Sequence, residues 1–113
     1  MRVLICGHRG FTDSARMEQE LSRFNITEVI EGEARGADTL ARLWAERRGI
    51  PVHKFPAKWS AYGRAAGPIR NKEMLTVGKP EMVIAFLAPD SKGTANMIAQ
   101  ARNMDVPIEV IAI

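Results

Sequence analysis

Apolar residues fall into five short continuous runs that alternate with stretches of helical spacing. Short continuous apolar runs are typical of strands that a parallel sheet buries on both faces. We predict strands over residues 2–6, 27–31, 51–56, 81–87 and 107–113. Proline bounds the third run at both ends, and because proline cannot donate to a sheet ladder, this strand is predicted at an edge.

Four of the stretches between strands carry helix signals. The first helix is capped by one of residues 12–14 and ends near residue 25, and the second follows a possible cap at Asp38 and ends at Gly49. A short third helix is predicted over residues 69–76 with Pro68 at its first position, and a fourth follows a possible cap at Thr94. Residues 57–68 show no periodicity and are predicted to form a loop.

Strands that alternate with helices predict right-handed βαβ crossovers and a parallel sheet covered on both faces. The predicted fold class is therefore α/β, a minimal Rossmann-like three-layer sandwich whose five-stranded parallel sheet has the order 3-2-1-4-5. In this order the chain reverses direction across the sheet between strands one and four, where ligands of open α/β sheets bind. The length of 113 residues predicts a single domain over residues 1–113.

Composition narrows the class of protein. The single cysteine, Cys6, excludes an internal disulfide and disfavours a metal cluster, and its apolar neighbours predict a buried core residue. The net charge of +3 is spread along the chain, which fits an anionic small ligand and disfavours a nucleic-acid partner. We see no leader and no apolar run long enough to span a bilayer, so we expect a cytoplasmic protein with no membrane partner and no bound metal.

Three loops are predicted to meet at the switch point of the sheet, and each combines glycine with a cationic residue. They are Gly7-His8-Arg9-Gly10, residues 31–38 and residues 88–94. Glycine lets backbone N–H groups approach a ligand, and arginine donates well to phosphate. The first loop has neither the dinucleotide fingerprint nor the Walker A spacing, so hydrolysis of nucleoside triphosphates is not expected. The alternative for each loop is a tight turn that only caps the next helix.

Candidate ligand-binding residues come from these loops and from the segment after strand three. They are Gly7, His8, Arg9, Arg35, Gly36, Asp38, Trp59, Arg70, Asn71, Lys92, Gly93 and Thr94. Gly93 and Thr94 lie at a predicted helix N-terminus, where free N–H groups favour phosphate. Trp59 and Tyr62 are candidates for stacking on a base, whereas Trp44 is predicted to be a core residue.

The motifs in these segments resemble one family. They are Gly-x-Arg-x-Phe-Thr-Asp at residues 7–13, Gly-x-Ala-Arg-Gly-Ala-Asp at 32–38, Gly-Arg-Ala-Ala-Gly-Pro-x-Arg-Asn-x-x-Met at 63–74 and Gly-Thr-Ala-x-Met at 93–97. Together they are similar to the YspA-type SLOG domain, also catalogued as domain of unknown function 2493. This family is related to the cytokinin-activating phosphoribohydrolases and to the DNA-processing protein DprA.

The resemblance implies binding of a nucleotide or a nucleotide-derived ligand of the NAD, ADP-ribose or nucleoside-phosphate type. A sensor, a sequestering protein and a processing domain in phage or bacterial signalling are all compatible with it. No cofactor beyond this ligand is expected, and a homo-oligomer whose copies complete one another's pockets is expected. A single-stranded DNA-binding module, as in the DprA relatives, is a further alternative.

The resemblance leaves catalysis open. The phosphoribohydrolase relatives carry Pro-Gly-Gly-x-Gly-Thr-x-x-Glu, and the glutamate takes part in cleaving an N-glycosidic bond. When Gly93-Thr94 is aligned with that motif, Met97 stands at the position of the glutamate, whereas Arg70 resembles the arginine of their second motif. For the alternative function, a hydrolase of an N-glycosidic or phosphoribosyl bond, the candidate acid/base residues are Glu31, Glu33 and Asp38.

Overall fold

A five-stranded parallel sheet forms the centre of the protein in the computed structural model, which describes all residues Met1–Ile113. The strands are β1 (Arg2–Gly7), β2 (Glu28–Glu31), β3 (Val52–Lys54), β4 (Met82–Leu87) and β5 (Ile108–Ala112). Their order is β3-β2-β1-β4-β5 and every pairing is parallel, which confirms the predicted topology. In the register, Leu4 of β1 lies between Ile30 of β2 and Val83 of β4.

The chain forms five helices, and the four longer ones cover the two faces of the sheet. The five are α1 (Ser14–Leu21), α2 (Ala37–Arg47), α3 (Trp59–Tyr62), α4 (Ala66–Thr76) and α5 (Lys92–Asn103), and a 3-10 turn at Gly63–Ala65 joins α3 to α4. Apolar side chains of α1 and α2 pack on one face of the sheet, and those of α4 and α5 pack on the other. The result is the predicted three-layer α/β architecture, in which no helix is both long and apolar enough to cross a membrane.

Alternate residues of β1 supply both halves of the core. Val3 and Ile5 pack against α1 and α2, whereas Leu4 and Cys6 pack on the side of α4 and α5. Full burial of each such aliphatic side chain stabilises the fold by roughly 1.5–3 kcal/mol. Cys6 is buried in the second half of the core, and this burial raises the pKa of its thiol well above its ordinary value. Trp44 is buried in the first half of the core, as predicted.

The prediction of a loop over residues 57–68 is wrong. This segment contains α3, the 3-10 turn and the first three residues of α4. It lacks apolar periodicity because none of the residues of α3 or of the 3-10 turn is buried in the core. α4 begins two residues before Pro68, which therefore occupies the third position of the helix and not the predicted first position. An N–H group at this position would have no intrahelical acceptor.

The predicted helix ends are partly confirmed. Asp13 caps α1 by accepting a hydrogen bond from Arg16 N at 2.9 Å, but the helix ends at Leu21 and continues to Phe24 only as turns. Neither Asp38 nor Thr94 is an N-cap. Asp38 is the second residue of α2, and Thr94 is the third residue of α5. The cap positions belong to Gly36 and Ser91, and neither makes a side-chain capping bond.

Candidate functional site

The loops that follow β1, β2 and β4 converge on a cleft of about 670 Å³. The segment from α3 to α4 forms its remaining wall. The cleft brings together ten of the predicted ligand-binding residues, namely Gly7, His8, Arg9, Asp38, Trp59, Arg70, Asn71, Lys92, Gly93 and Thr94. It therefore lies at the switch point between β1 and β4, where the strand order placed it.

Two other predicted ligand-binding residues lie outside this cleft. Arg35 lines an adjoining pocket of about 300 Å³, and Gly36 lines neither cavity. Gly36 has a φ of +74°, and a Cβ there would lie 2.5 Å from the backbone carbonyl of Arg9. The glycine thus allows the loops after β1 and β2 to pack together, and Ala37 N donates to His8 O at 3.2 Å across that contact.

The first turn of α5 leaves backbone donors free at the cleft. Ser91 Oγ accepts a hydrogen bond from Ala88 N at 3.1 Å, so this hydroxyl points back to the loop and does not cap the helix. The N–H groups of Gly93 and Thr94 have no acceptor in the protein. A Cβ at Gly93 would meet nothing within 4 Å. Free N–H groups at the positive end of a helix dipole attract an anion.

Cationic side chains outnumber carboxylates around the cleft. Arg9, Arg64, Arg70 and Lys92 line it, against Asp38 and Asp90. The Asp90 charge is partly engaged, because its Oδ1 lies 3.0 Å from His8 Nε2. His8 Nδ1 accepts from Gly10 N at 3.0 Å, so the proton of a neutral His8 is on Nε2 and is donated to Asp90. The electrostatic balance of the cleft favours an anionic ligand.

Arg70 and Asn71 join three walls of the cleft. Arg70 donates from Nη1 to Gly32 O at 2.6 Å and from Nε to Asn71 Oδ1 at 3.1 Å. Asn71 Nδ2 donates to Gly93 O at 3.2 Å and to Asn96 Oδ1 at 3.1 Å. Both amide hydrogens of Asn71 are thereby used inside the protein. This bonding connects the loop after β2, through α4, to the first turn of α5.

Of the three acid/base candidates, only Asp38 lines the main cleft. Its side chain is 4% exposed, and its Oδ2 accepts hydrogen bonds from Gly32 N at 3.0 Å and Ala34 N at 3.2 Å. Burial raises the pKa of Asp38 to about 6, although these two N–H groups and the Arg70 charge act in the opposite direction. Glu33 lines the adjoining pocket, and Glu31 is fully buried and lines neither cavity.

The two exposed aromatic side chains of α3 are placed differently. Trp59 is 48% exposed and lines the cleft, with the Arg9 guanidinium 5.5 Å from its ring centroid. Tyr62 is equally exposed, at 50%, but lines neither the cleft nor the adjoining pocket. A base that enters the cleft therefore has one aromatic ring within reach.

Comparison with known proteins adds a family to this geometry. Residues 1–62 match the model of YAcAr, described as the YspA, cpYpsA-related SLOG family. The chain belongs to this SLOG family. Gene 61 protein of Mycobacterium phage D29 is 31% identical over 118 residues, which cover 95% of this chain and 93% of that relative. No solved structure matches the chain.

Membership of the SLOG family indicates a nucleotide-related function. In this SLOG chain, Met97 is fully buried among the core residues of α4 and α5. The helix position that aligns with the glutamate of the phosphoribohydrolase relatives is therefore closed to any ligand. The structure brings no group of three His, Cys, Asp or Glu side chains together in a way that could hold a metal ion.

Sequence reasoning missed several residues that line the cleft of this SLOG chain. They are Cys6, Ala34, Arg64, Gly67, Pro68, Met74, Asp90, Ser91 and Asn96. Arg64 and Gly67 belong to the same motif as Arg70, which was a sufficient signal to include them. Asn96 lies three residues after Gly93, so helical spacing places both on one face of α5.

Proposed function

We propose that this protein binds a nucleotide or a nucleotide-derived anion in the cleft, with a phosphate group at the first turn of α5. The observation that carries this proposal is the pair of backbone N–H groups of Gly93 and Thr94, which have no acceptor in the protein. Thr94 is 5% exposed and is one of the residues that line the cleft. A phosphate oxygen accepts well from such a cluster of donors.

Three cationic side chains support the choice of an anion. Arg9, Arg64 and Lys92 line the cleft, and none of them forms an ion pair with a carboxylate of the protein. Arg70, in contrast, already donates to Gly32 O and Asn71 Oδ1. The charges of the first three residues are therefore available to a ligand with more than one negative charge.

The aromatic ring of Trp59 supports a ligand that carries a base. It lies on the wall formed by α3, and the cleft of about 670 Å³ is within the size range of small-molecule sites. Stacking of a base on an aromatic side chain contributes about 1–3 kcal/mol. Arg9 now lies over this ring, so a phosphate that attracts the guanidinium would also uncover the indole for the base.

Titration calorimetry with AMP and with ADP-ribose tests this proposal, and Gly93→Ala is the informative variant. The added methyl group would meet no protein atom within 4 Å, and alanine is favoured over glycine inside a helix by roughly 0.5–1 kcal/mol. Stability should be kept or raised, whereas the methyl group obstructs the approach of a phosphate to the N–H groups. We expect an affinity at least about tenfold lower, the effect of losing one good hydrogen bond.

Ala95→Ser is the matched control, because Ala95 is exposed on the same helix and does not line the cleft. Its affinity for both nucleotides should equal that of the unmodified protein. A Gly93→Ala protein that folds normally and binds both nucleotides with unchanged affinity would contradict the phosphate position. Binding without turnover would favour a sensor or a sequestering protein over a processing domain.

A second candidate function, hydrolysis of an N-glycosidic bond, is favoured by Asp38. Its buried carboxyl lines the cleft and has a pKa of about 6, which suits a group that exchanges protons near neutral pH. In this reaction water adds its hydroxyl to the anomeric carbon and the C–N bond breaks. The remaining proton of the water passes to the adenine released from AMP, or through Asp38 to solvent when NAD releases neutral nicotinamide. Chromatography after incubation with NAD and AMP would detect the free base.

Asp38→Asn should abolish release of the base while it leaves binding measurable. Release at the same rate by Asp38→Asn would show that another group carries the proton. The absence of free base from both substrates, with binding retained, would favour the binding module.

A further inference from the structure

Two buried carboxyl groups hold three successive backbone N–H groups of the β2–α2 loop, residues 32–36. Glu31 Oε1 accepts from Glu33 N at 2.6 Å. Asp38 Oδ2 accepts from Gly32 N at 3.0 Å and from Ala34 N at 3.2 Å. The two carboxyls reach the loop from its two ends, the last residue of β2 and the first turn of α2. The loop backbone is therefore held by side-chain groups that titrate.

Glu31 has no place in the proposed binding site, yet its burial is complete. Its second oxygen, Oε2, is buried without any hydrogen-bond partner. A buried carboxyl oxygen that lacks a hydrogen-bond partner destabilises a fold, so the presence of Glu31 at this position calls for a physical reason. Glu33, whose N–H it holds, adopts a φ of +57°, a conformation that a non-glycine residue rarely adopts without support.

The loop that these carboxyls hold forms part of the cleft. Gly32 O accepts the 2.6 Å hydrogen bond from Arg70 Nη1, and Ala34 lines both cavities. A Cβ at Gly32 would lie 2.7 Å from Arg70 Cζ, so the guanidinium packs directly against this peptide. A change in the loop would therefore move Arg70 and the wall of the cleft next to it.

We propose that Glu31 is a positioning residue that acts with Asp38, through the N–H groups of residues 32–34, to place Arg70, and that its ionisation regulates the binding of anionic ligands. The regulatory half rests on the proposed function, and the positioning half does not. Glu31 itself contacts no ligand, because it lines neither cavity.

Charged groups on five segments act on this pair. Glu31 faces Glu33 of the loop and both Asp38 and Arg42 of α2, and Lys54 of β3 lies 3.8 Å from Glu33. Asp38 faces Arg70 of α4, Arg9 of the loop after β1, and the thiol of Cys6 in β1. Burial raises the pKa of Glu31 to about 7, and the charges of Asp38 and Glu33 act in the same direction.

A bound anion adds negative charge beside Asp38 and therefore raises the pKa values of the coupled pair further. Binding should then take up protons, and affinity should increase as the pH falls through these pKa values. A shift of half to one pKa unit corresponds to an affinity change of about threefold to tenfold.

Amide spectra of the 15N-labelled protein test the positioning half without any ligand. The Glu33 N–H resonance should titrate with a midpoint near the Glu31 pKa of about 7, and those of Gly32 and Ala34 near the Asp38 pKa of about 6. Glu31→Gln should remove the first titration. Glu33→Gln is the control, since it removes an exposed charge but keeps the N–H group. In this variant the N–H resonance of residue 33 should still titrate.

A Glu33 resonance that does not titrate in the unmodified protein, or that titrates equally in Glu31→Gln, overturns the positioning role. Calorimetry with ADP-ribose, in two buffers of different ionisation enthalpy, tests the regulatory half, because the charge of its pyrophosphate diester is constant over this range. We expect proton uptake that Glu31→Gln reduces. An affinity for ADP-ribose that is independent of pH overturns the regulation. If the Glu33 amide titrates as expected but the protein does not bind ADP-ribose, the result counts against the proposed function and not against the positioning role.

Discussion

Replacement of Glu31 by glutamine should make the stability of the protein depend less on pH. In the folded protein, burial raises the pKa of Glu31 from an ordinary value of 4.5 to about 7. Between these two values the folded state keeps a proton that the unfolded chain releases. The free energy of unfolding therefore decreases as the pH rises through this window, and the loss is complete above the folded pKa.

The size of the effect follows from the pKa difference. Each pKa unit corresponds to 1.36 kcal/mol, so the shift of Glu31 amounts to about 3 kcal/mol of stability lost between about pH 4.5 and pH 8. Glutamine keeps an oxygen that can accept from Glu33 N but has no proton to release in this range. Relative to the unmodified protein, Glu31→Gln should gain up to this amount of stability as the pH is raised.

Urea unfolding measures this difference, with the fluorescence of the buried Trp44 as the signal. Buffers without phosphate are needed, because the cleft is expected to bind that anion. Glu28→Gln is the matched control: Glu28 lies on the same strand, and its pair with Arg2 holds the pKa of Glu28 below its ordinary value, outside this window. Equal pH slopes for the unmodified protein and Glu31→Gln would refute the assignment of a raised pKa to Glu31.

Two further substitutions test the roles assigned to other residues. Gly36→Ala should destabilise the protein by roughly 1–3 kcal/mol, because residue 36 has a φ of +74° and a side chain there collides with the loop after β1. Circular dichroism should show a lower melting temperature, and an unchanged one would contradict this. Trp59→Ala should weaken AMP binding about tenfold but leave pyrophosphate binding unchanged, and Tyr62→Ala, equally exposed but outside the cleft, should change neither.

The topology was predictable because the strands carry an unambiguous signal. β1 and β4 are apolar on both faces, which is typical of strands that helices cover on both sides. Because connections through helices are right-handed, few strand orders are allowed. The segment from residue 57 to residue 68 lacks that signal. Its short helix and turn bury no residue in the core, so no apolar spacing revealed them.

The position of the site was predictable for the same reason, but the roles of its residues were not. Asn71 was predicted to bind the ligand, and the structure shows that its amide also joins Arg70 to the first turn of α5. Asp38 was a possible cap for α2 but bonds backward to the loop. Each role depends on hydrogen bonds between segments distant in sequence or on the direction of one side chain, and residue type and spacing determine neither.

The Gly-x-Ala-Arg-Gly-Ala-Asp motif after β2 thus acts mainly on the shape of the loop. Gly32 and Gly36 permit close packing against Arg70 and against the loop after β1, and Asp38 holds the backbone between them. Few of its side chains are left to contact a ligand in the main cleft. We therefore expect selectivity among nucleotides to depend on Arg9, Trp59, Arg64 and the first turn of α5, and substitutions in the motif to change stability and pH dependence more than the choice of ligand.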